Sequence, residues 1–224
     1  MSAGGWLALL GGGEFTFGET LEADRAWIEK AGGGTIGFLP AASGSLDYGR
    51  HFESYLGEQF GRAVELVPVY RPRDARRVRN AERVRACAAV YLGGGIADQL
   101  VETLADSPVL DELRDKLRSG GVVAAIGAAA QACGSVYRTL RGGRAEAGLG
   151  LATELAVEPN FDPGHDRRLR QLVGTPGAGR GVGIPAGCAL LVGPGGAFEA
   201  VGDVFALGAA DADLVPLVGS VRGA

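Results

Sequence analysis

The stretch GGVVAAIGAAAQACG, residues 120–134, decides the fold of this chain. Residues 122–126 are a short apolar run, which predicts a strand buried on both faces. From about residue 128 the chain is rich in alanine, which predicts a helix. Only Gly127 separates the two elements, so the chain turns sharply from strand to helix. In a parallel sheet, such a turn is the geometry that presents the catalytic nucleophile of many hydrolases.

Strands and helices alternate on both sides of this stretch. Before it, strands are predicted at residues 6–10, 35–39, 63–69 and 88–92, and helices at residues 19–31, 48–60, 75–85, 97–104 and 108–118. After it, the pattern predicts a strand at 151–157, a helix at 166–173 and antiparallel strands at 188–192 and 197–201. Alternating elements favour right-handed crossovers and a mostly parallel sheet between two layers of helices. We therefore predict a flavodoxin-like, three-layer α/β sandwich, with the antiparallel C-terminal strands extending one sheet edge.

Length, composition and charge are those of an ordinary globular protein. The 224 residues are 46% hydrophobic and 21% charged, and one domain spanning residues 1–224 is the expectation for an α/β chain of this size. The formal net charge of −4 argues against nucleic-acid binding, which needs a basic surface. Seven arginines cluster between residues 71 and 85, and we interpret them as a solvated helix face.

The cysteines and apolar runs predict a cytoplasmic protein that does not bind a membrane. Cys87, Cys133 and Cys188 are far apart and lie among apolar residues, as expected of buried thiols in a reducing compartment. No apolar run approaches the roughly 20 residues of a membrane span, and no signal-peptide pattern is seen. No dinucleotide fingerprint or Walker sequence occurs, so no cofactor is predicted. With only His51 and His165, a metal site is not expected either.

Three turns rich in small residues follow predicted strands, at residues 11–13, 93–95 and 126–128. The carboxyl ends of parallel strands meet at one edge of the sheet, where loops and helix N-termini can approach a ligand. A ligand site is therefore predicted at this edge. Glu14, Ser43 and Ser45 lie beside these turns as candidate ligand contacts, with a solvated loop carboxylate and ordinary turn hydroxyls as the alternatives.

The strand-to-helix stretch resembles the nucleophile segment of the serine peptidases related to cyanophycinase and dipeptidase E, in which Gly-x-Ser-Ala-Gly-Ala follows a strand. Laid on that pattern without gaps, Gly127 falls on the serine, and Ala125 and Ala129 fall on the two glycines. Residues 38–43, Phe-Leu-Pro-Ala-Ala-Ser, are similar to the family's second strand and substrate-side loop, and residues 90–95, Val-Tyr-Leu-Gly-Gly-Gly, to its oxyanion turn. The resemblance covers nearly the whole chain and implies a class I glutamine-amidotransferase-like fold.

The same resemblance locates the other two positions of the family's catalytic triad. Residues 158–161, Glu-Pro-Asn-Phe, correspond to a Pro-His-Phe element, so Asn160 stands at the histidine position. Residues 183–190, Gly-Ile-Pro-Ala-Gly-Cys-Ala-Leu, correspond to the element with the acid, and Ala186 stands at the glutamate. Between residues 120 and 134 there is no serine or threonine. Serine, histidine and acid act as one unit, so these three differences predict that hydrolysis by the family's mechanism is absent.

The resemblance leaves a pocket and three hypotheses for its use. The backbone N–H groups of Gly94, Gly95 and Ala128 are implied to line an oxyanion pocket. The first hypothesis is an inactive peptidase homologue that binds a small peptide or amino-acid-like ligand, or a partner protein. The second is an active peptidase or amide hydrolase that uses His165 as base with Ser43. The third is a structural subunit of a complex. Members of the family it resembles are often dimers, so the resemblance is compatible with a homodimer, although the sequence itself does not give the oligomeric state.

Overall fold

A computed structural model describes residues 4–43, 46–208 and 213–221 of the chain. The strands are β1 (Trp6–Leu10), β2 (Ile36–Leu39), β3 (Val64–Leu66), β4 (Ala89–Leu92), β5 (Val122–Ile126), β6 (Val136–Arg138), β7 (Ala145–Ala147), β8 (Leu155–Pro159), β9 (Arg180–Ile184), β10 (Ala189–Val192), β11 (Phe198–Val201), β12 (Val204–Gly208), β13 (Val215–Leu217) and β14 (Ser220–Val221). The helices are α1 (Leu21–Ala31), α2 (Leu46–Phe60), α3 (Pro72–Ala75), α4 (Val78–Ala86), α5 (Ala97–Leu104), α6 (Pro108–Arg118), α7 (Ala128–Cys133) and α8 (Arg167–Val173). None of the helices in the described ranges is long and apolar enough to cross a membrane.

The larger sheet has the strand order β14-β11-β10-β1-β5-β4-β2-β3. The run from β1 to β3 is parallel, and β10, β11 and β14 add antiparallel pairs at the other end. This confirms the predicted α/β class, with a mostly parallel sheet and antiparallel strands near the C-terminus. All residues of β5 are buried, since this strand lies between β1 and β4 and is covered on both faces.

Two cores lie on the two faces of this sheet, and β5 contributes to both. Val123 and Ala125 enter the core beneath α5, α6 and α7. Ala124 and Ile126 enter the core beneath α1 and α2. Successive side chains of a strand point to opposite faces, so a strand with a helix layer on each side requires apolar residues throughout. This explains why residues 122–126 show no polar alternation.

A smaller sheet, with the order β13-β12-β9-β8-β6-β7, was not anticipated. The strands predicted at residues 188–192 and 197–201 do extend the main sheet, as β10 and β11. Strands β9 and β12, which were not predicted, pair with each other and, through β9, with β8. The strand predicted at residues 151–157 lies slightly later, as β8. The helix predicted at 75–85 is preceded by a separate helical turn, α3, because Pro72 starts a helix there at its first position.

Candidate functional site

The turn between β5 and α7 is centred on Gly127. Its φ of 57° and ψ of −122° lie where residues with side chains are rarely found. Its N–H donates to the carbonyl of Leu10 at 2.9 Å, which holds the turn against the end of β1. A Cβ atom built on Gly127 would meet no heavy atom within 4 Å. A side chain at this position would therefore project into open space, as the side chain at a nucleophile turn does.

Three successive carbonyl groups at the end of β1, those of residues 10–12, hold distant parts of the chain together. The first accepts a hydrogen bond from the N–H of Gly127 at 2.9 Å, the second from Asn160 at 2.7 Å and the third from Gly187 at 2.9 Å. Gly187 directly follows Ala186. The positions that the resemblance identified in three separate segments therefore lie around a single strand end.

Asn160 adopts a left-handed backbone conformation, with a φ of 47°, which asparagine tolerates better than most residues. Its exposed side chain lies over Gly12: a Cβ atom on Gly12 would be 2.2 Å from the Asn160 Oδ1. Glycine at residue 12 is thus required for this close approach. The Asn160 amide can donate and accept hydrogen bonds, but unlike an imidazole it cannot take up a proton at neutral pH.

The turns after β2, β4 and β5 contact one another beside Gly127. A Cβ atom on Gly94 would be 3.4 Å from the carbonyl oxygen of Ile126, and one on Gly95 would be 2.3 Å from that of Ala42. Within the described residues, the N–H groups of Gly94, Gly95 and Ala128 have no hydrogen-bond acceptor. These donors are therefore free to bind an oxygen atom of a ligand at this edge.

The candidate ligand contacts Glu14 and Ser43 lie on two different loops near the Gly127 turn. Ser43 ends the turn that packs on Gly95, and its side chain is exposed, whereas Ser45 lies outside the described residues. Glu14 caps the 3₁₀ turn that follows it: its Oε1 accepts hydrogen bonds from the N–H of Thr16 at 3.2 Å and from the Thr16 hydroxyl at 3.0 Å. The Glu14 carboxylate is thus engaged in shaping its own loop.

His165 lies in a 3₁₀ turn, Pro163–His165, shortly after Asn160. Its side chain is 86% exposed, and its Nδ1 is 2.7 Å from the Oδ2 of Asp162. This hydrogen bond lowers the pKa of Asp162. Among the contacts of the described residues, none joins the His165 imidazole to the Gly127 turn.

A buried polar cluster behind the site was missed by the sequence analysis. The Glu158 carboxylate, 5% exposed, accepts hydrogen bonds from the Gln131 amide at 3.2 Å and from the Arg138 guanidinium at 3.0 Å. Burial raises the pKa of Glu158, and Arg138 opposes that rise. Gln131 is one helical turn beyond Gly127, and Glu158 is two residues before Asn160 on β8. The available signal was a glutamine in an alanine-rich helix and a glutamate in an apolar strand.

A second buried network joins α1 to α2. Asp24 is fully buried and accepts hydrogen bonds from the Thr20 hydroxyl at 2.7 Å, the Trp27 indole at 2.8 Å and the Tyr55 hydroxyl at 2.9 Å. Burial raises the pKa of Asp24, and the three donors oppose that rise. Across the residues that the structure describes, no group of three or more His, Cys, Asp or Glu side chains is arranged to hold a metal ion.

Comparison with known proteins gives consistent results. The model of peptidase family S51 matches residues 7–199, which confirms the resemblance. The crystal structure of a peptidase from an acI-B1 Actinobacterium is similar over 98% of this chain and 97% of its own, with a TM-score of 0.82 and 23% identity. A protein of Listeria monocytogenes EGD-e that has been assigned the peptidase E name is similar over 92% and 99%, with a TM-score of 0.61 and 15% identity. At these identities the two structures support the fold alone. No curated protein sequence matches the chain.

Proposed function

Because this chain belongs to peptidase family S51, we propose that it is a peptidase homologue without hydrolytic activity, whose cleft at the end of β1 binds a small peptide or an amino-acid-like ligand. The observation that carries the proposal is Gly127 at the strand-to-helix turn, in a stretch of residues 120–134 without serine or threonine. Asn160 and Ala186, at the inferred base and acid positions, support the same conclusion.

The site at the end of β1 retains hydrogen-bonding groups that could hold a ligand, but it lacks the nucleophile, base and acid of the family's triad. The N–H donors of Gly94, Gly95 and Ala128 suit a carbonyl or carboxylate oxygen, and the Asn160 amide adds a donor and an acceptor. No hydroxyl or thiol at residue 127 can attack a bound carbonyl. An oxyanion pocket without its triad leaves a rate several orders of magnitude below that of the intact enzyme. A cytoplasmic location, a homodimer and a single domain over residues 1–224 stay predictions.

A stepwise repair of the triad tests the loss of activity. Gly127→Ser alone should leave Asp-Leu and β-aspartyl-arginine chains uncleaved, because no base accepts the proton of the hydroxyl. Adding Asn160→His should give slight turnover, and further adding Ala186→Glu should give clear hydrolysis. The matched control carries Gly127→Ala with the same two substitutions, which supplies the base and acid without a nucleophile and should stay inactive.

The second hypothesis, an active hydrolase, is favoured by one contact, the 2.7 Å pairing of His165 with Asp162, since an acid orients the base in such enzymes. Turnover by the pure natural protein that disappears in His165→Ala would replace our proposal with this one. Labelling of the natural protein by a fluorophosphonate serine probe would point the same way. Strong activity of Gly127→Ser alone would mean that a base already serves the cleft.

Ligand binding is tested separately by titration calorimetry with Asp-Leu. We expect heat of binding with the natural protein and none with Gly127→Phe, because a large side chain at residue 127 would fill the open space beside the turn, where we propose that the ligand binds. Equal binding by both proteins would place the ligand elsewhere and contradict the proposed cleft.

A further inference from the structure

The segment at residues 71–79 forms an exposed cationic surface that the proposed function does not use. Five of its nine residues are exposed arginines, which we call the arginine patch: Arg71, Arg73, Arg76, Arg77 and Arg79. Asp74 lies 3.5 Å from Arg77 and 3.8 Å from Arg73. In the part of the chain that the structure describes, the other three arginines form no ion pair. One carboxylate is therefore shared by two guanidinium groups, and the other three are not paired with any carboxylate of the described residues.

The segment that contains the arginine patch is positively charged, whereas the rest of the protein is acidic. Residues 71–85 hold seven arginines against Asp74 and Glu82, a formal charge of +5; with −4 for the whole chain, the remainder carries −9. Arg83 and Arg85 are paired with glutamates of other elements, so the unpaired charge is concentrated in the patch. Like charges held close together repel one another, and a bound anion relieves that repulsion.

The patch lies beside the edge of the sheet that holds the candidate site. It is formed by α3 and the start of α4, which follow the carboxyl end of β3. Helix α3 packs on α5, and α5 begins directly after the glycine turn at residues 93–95. Within the patch, Val78 is 66% exposed, so the surface also offers an apolar contact among the cations.

We propose that the arginine patch docks an acidic segment of a polypeptide partner. Guanidinium groups bind carboxylates through paired hydrogen bonds, and Val78 suits an apolar residue between the acids. A nucleic acid fits less well, because its charged backbone would continue onto a surface that carries a net negative charge. The docking does not require the cleft.

The test is fluorescence anisotropy with a rhodamine-labelled peptide, Glu-Asp-Leu-Glu-Asp-Glu, and variants of the patch. R76E/R77E/R79E should raise the Kd about tenfold or more, because three attractive contacts become repulsive. The matched control is R25E/R118E/R180E, which makes the same change in net charge at exposed arginines on α1, α6 and β9. The control should change the Kd less than about threefold.

Two milder sets of substitutions test the same surface if R76E/R77E/R79E does not fold. R76K/R77K/R79K keeps the charge and should retain most of the binding, which should weaken as salt is raised. Val78→Ser should weaken binding of this peptide more than that of Glu-Asp-Ser-Glu-Asp-Glu. Equal losses in the patch variant and its control would overturn the proposal. Patch-dependent binding of a labelled hexadeoxythymidylate as tight as that of the peptide would replace it with nucleic-acid binding.

Discussion

At the scale of single residues, Gly127 accepts a backbone conformation that a side chain makes costly. Gly127→Ser should lower the free energy of unfolding by about 1 kcal/mol through this strain, since no heavy atom lies within 4 Å of a Cβ built at this position. Gly32 is the matched control, because it has a φ of 61° and equally open surroundings. Urea unfolding of Gly127→Ser and Gly32→Ser should give similar losses. A much larger loss at residue 127 would contradict the open space described at the turn.

The buried carboxyl group of Asp24 should make the stability of the protein depend on pH. Burial raises its pKa in the folded protein above the ordinary value of 3.8, although three hydrogen bonds oppose the rise. Its contribution to stability is therefore fully present below the unfolded pKa and is lost as the pH rises through the folded pKa. Asp24→Asn cannot ionise, so the stability of this variant relative to the natural protein should increase as the pH rises through that range.

Urea unfolding at a series of pH values measures this difference for Asp24→Asn. The control is Asp115→Asn, whose exposed carboxylate pairs with Arg118 on the surface of α6; this variant should change the free energy of unfolding only slightly. A difference between Asp24→Asn and the natural protein that stays constant with pH would mean that Asp24 is not perturbed by burial.

At the scale of elements, the buried cluster of Glu158, Gln131 and Arg138 joins β8, α7 and β6 close to the candidate site. Arg138→Met removes the cation from a buried carboxylate and should lower the free energy of unfolding by about 2 kcal/mol at neutral pH. The loss should shrink as the pH falls and Glu158 becomes protonated, because its folded pKa is already raised by burial and rises further without Arg138.

The matched control for Arg138→Met is Arg118→Met, which removes one partner of an exposed pair, 2.8 Å from Asp115. It should change stability by less than about 0.5 kcal/mol. Thermal unfolding at neutral and mildly acidic pH measures both variants. Equal losses would show that Glu158 reaches water and does not depend on Arg138.

At the scale of the whole molecule, the smaller sheet extends beyond the family match, which ends at residue 199. Val204 and Leu207 of β12 are almost fully buried, and β12 pairs with β9. A chain that ends at Gly202 should therefore lose cooperative unfolding, because burial of such side chains contributes about 1.5–3 kcal/mol each.

The comparison for this truncation is a chain that ends at Val218. Among the described residues it loses Gly219 and β14, which contact β11 through two register pairs and through the hydrogen bond from the Ala200 N–H to the Gly219 carbonyl. It should unfold within a few degrees of the full chain in scanning calorimetry. A chain ending at Gly202 that unfolds as cooperatively as the full chain would show that the smaller sheet adds little to stability.

The sequence by itself determined the mostly parallel character of the main sheet, most of its strands and the strand-to-helix turn. A strand covered by helices on both faces must be apolar throughout, and residues 122–126 are all apolar. The absence of serine and threonine around Gly127 is likewise a local fact. These features depend only on residues that are close together in the sequence, so they can be predicted from the sequence alone.

Only the tertiary structure decided how separate segments meet. The pairing of β9 and β12 outside the main sheet, and the contact of Glu158 with Gln131 and Arg138, join residues that are far apart in sequence. The meeting of Gly127, Asn160 and Gly187 at the end of β1 is of the same kind. Such contacts depend on register and layer packing over the whole chain, so the local alternation of polar and apolar residues does not specify them.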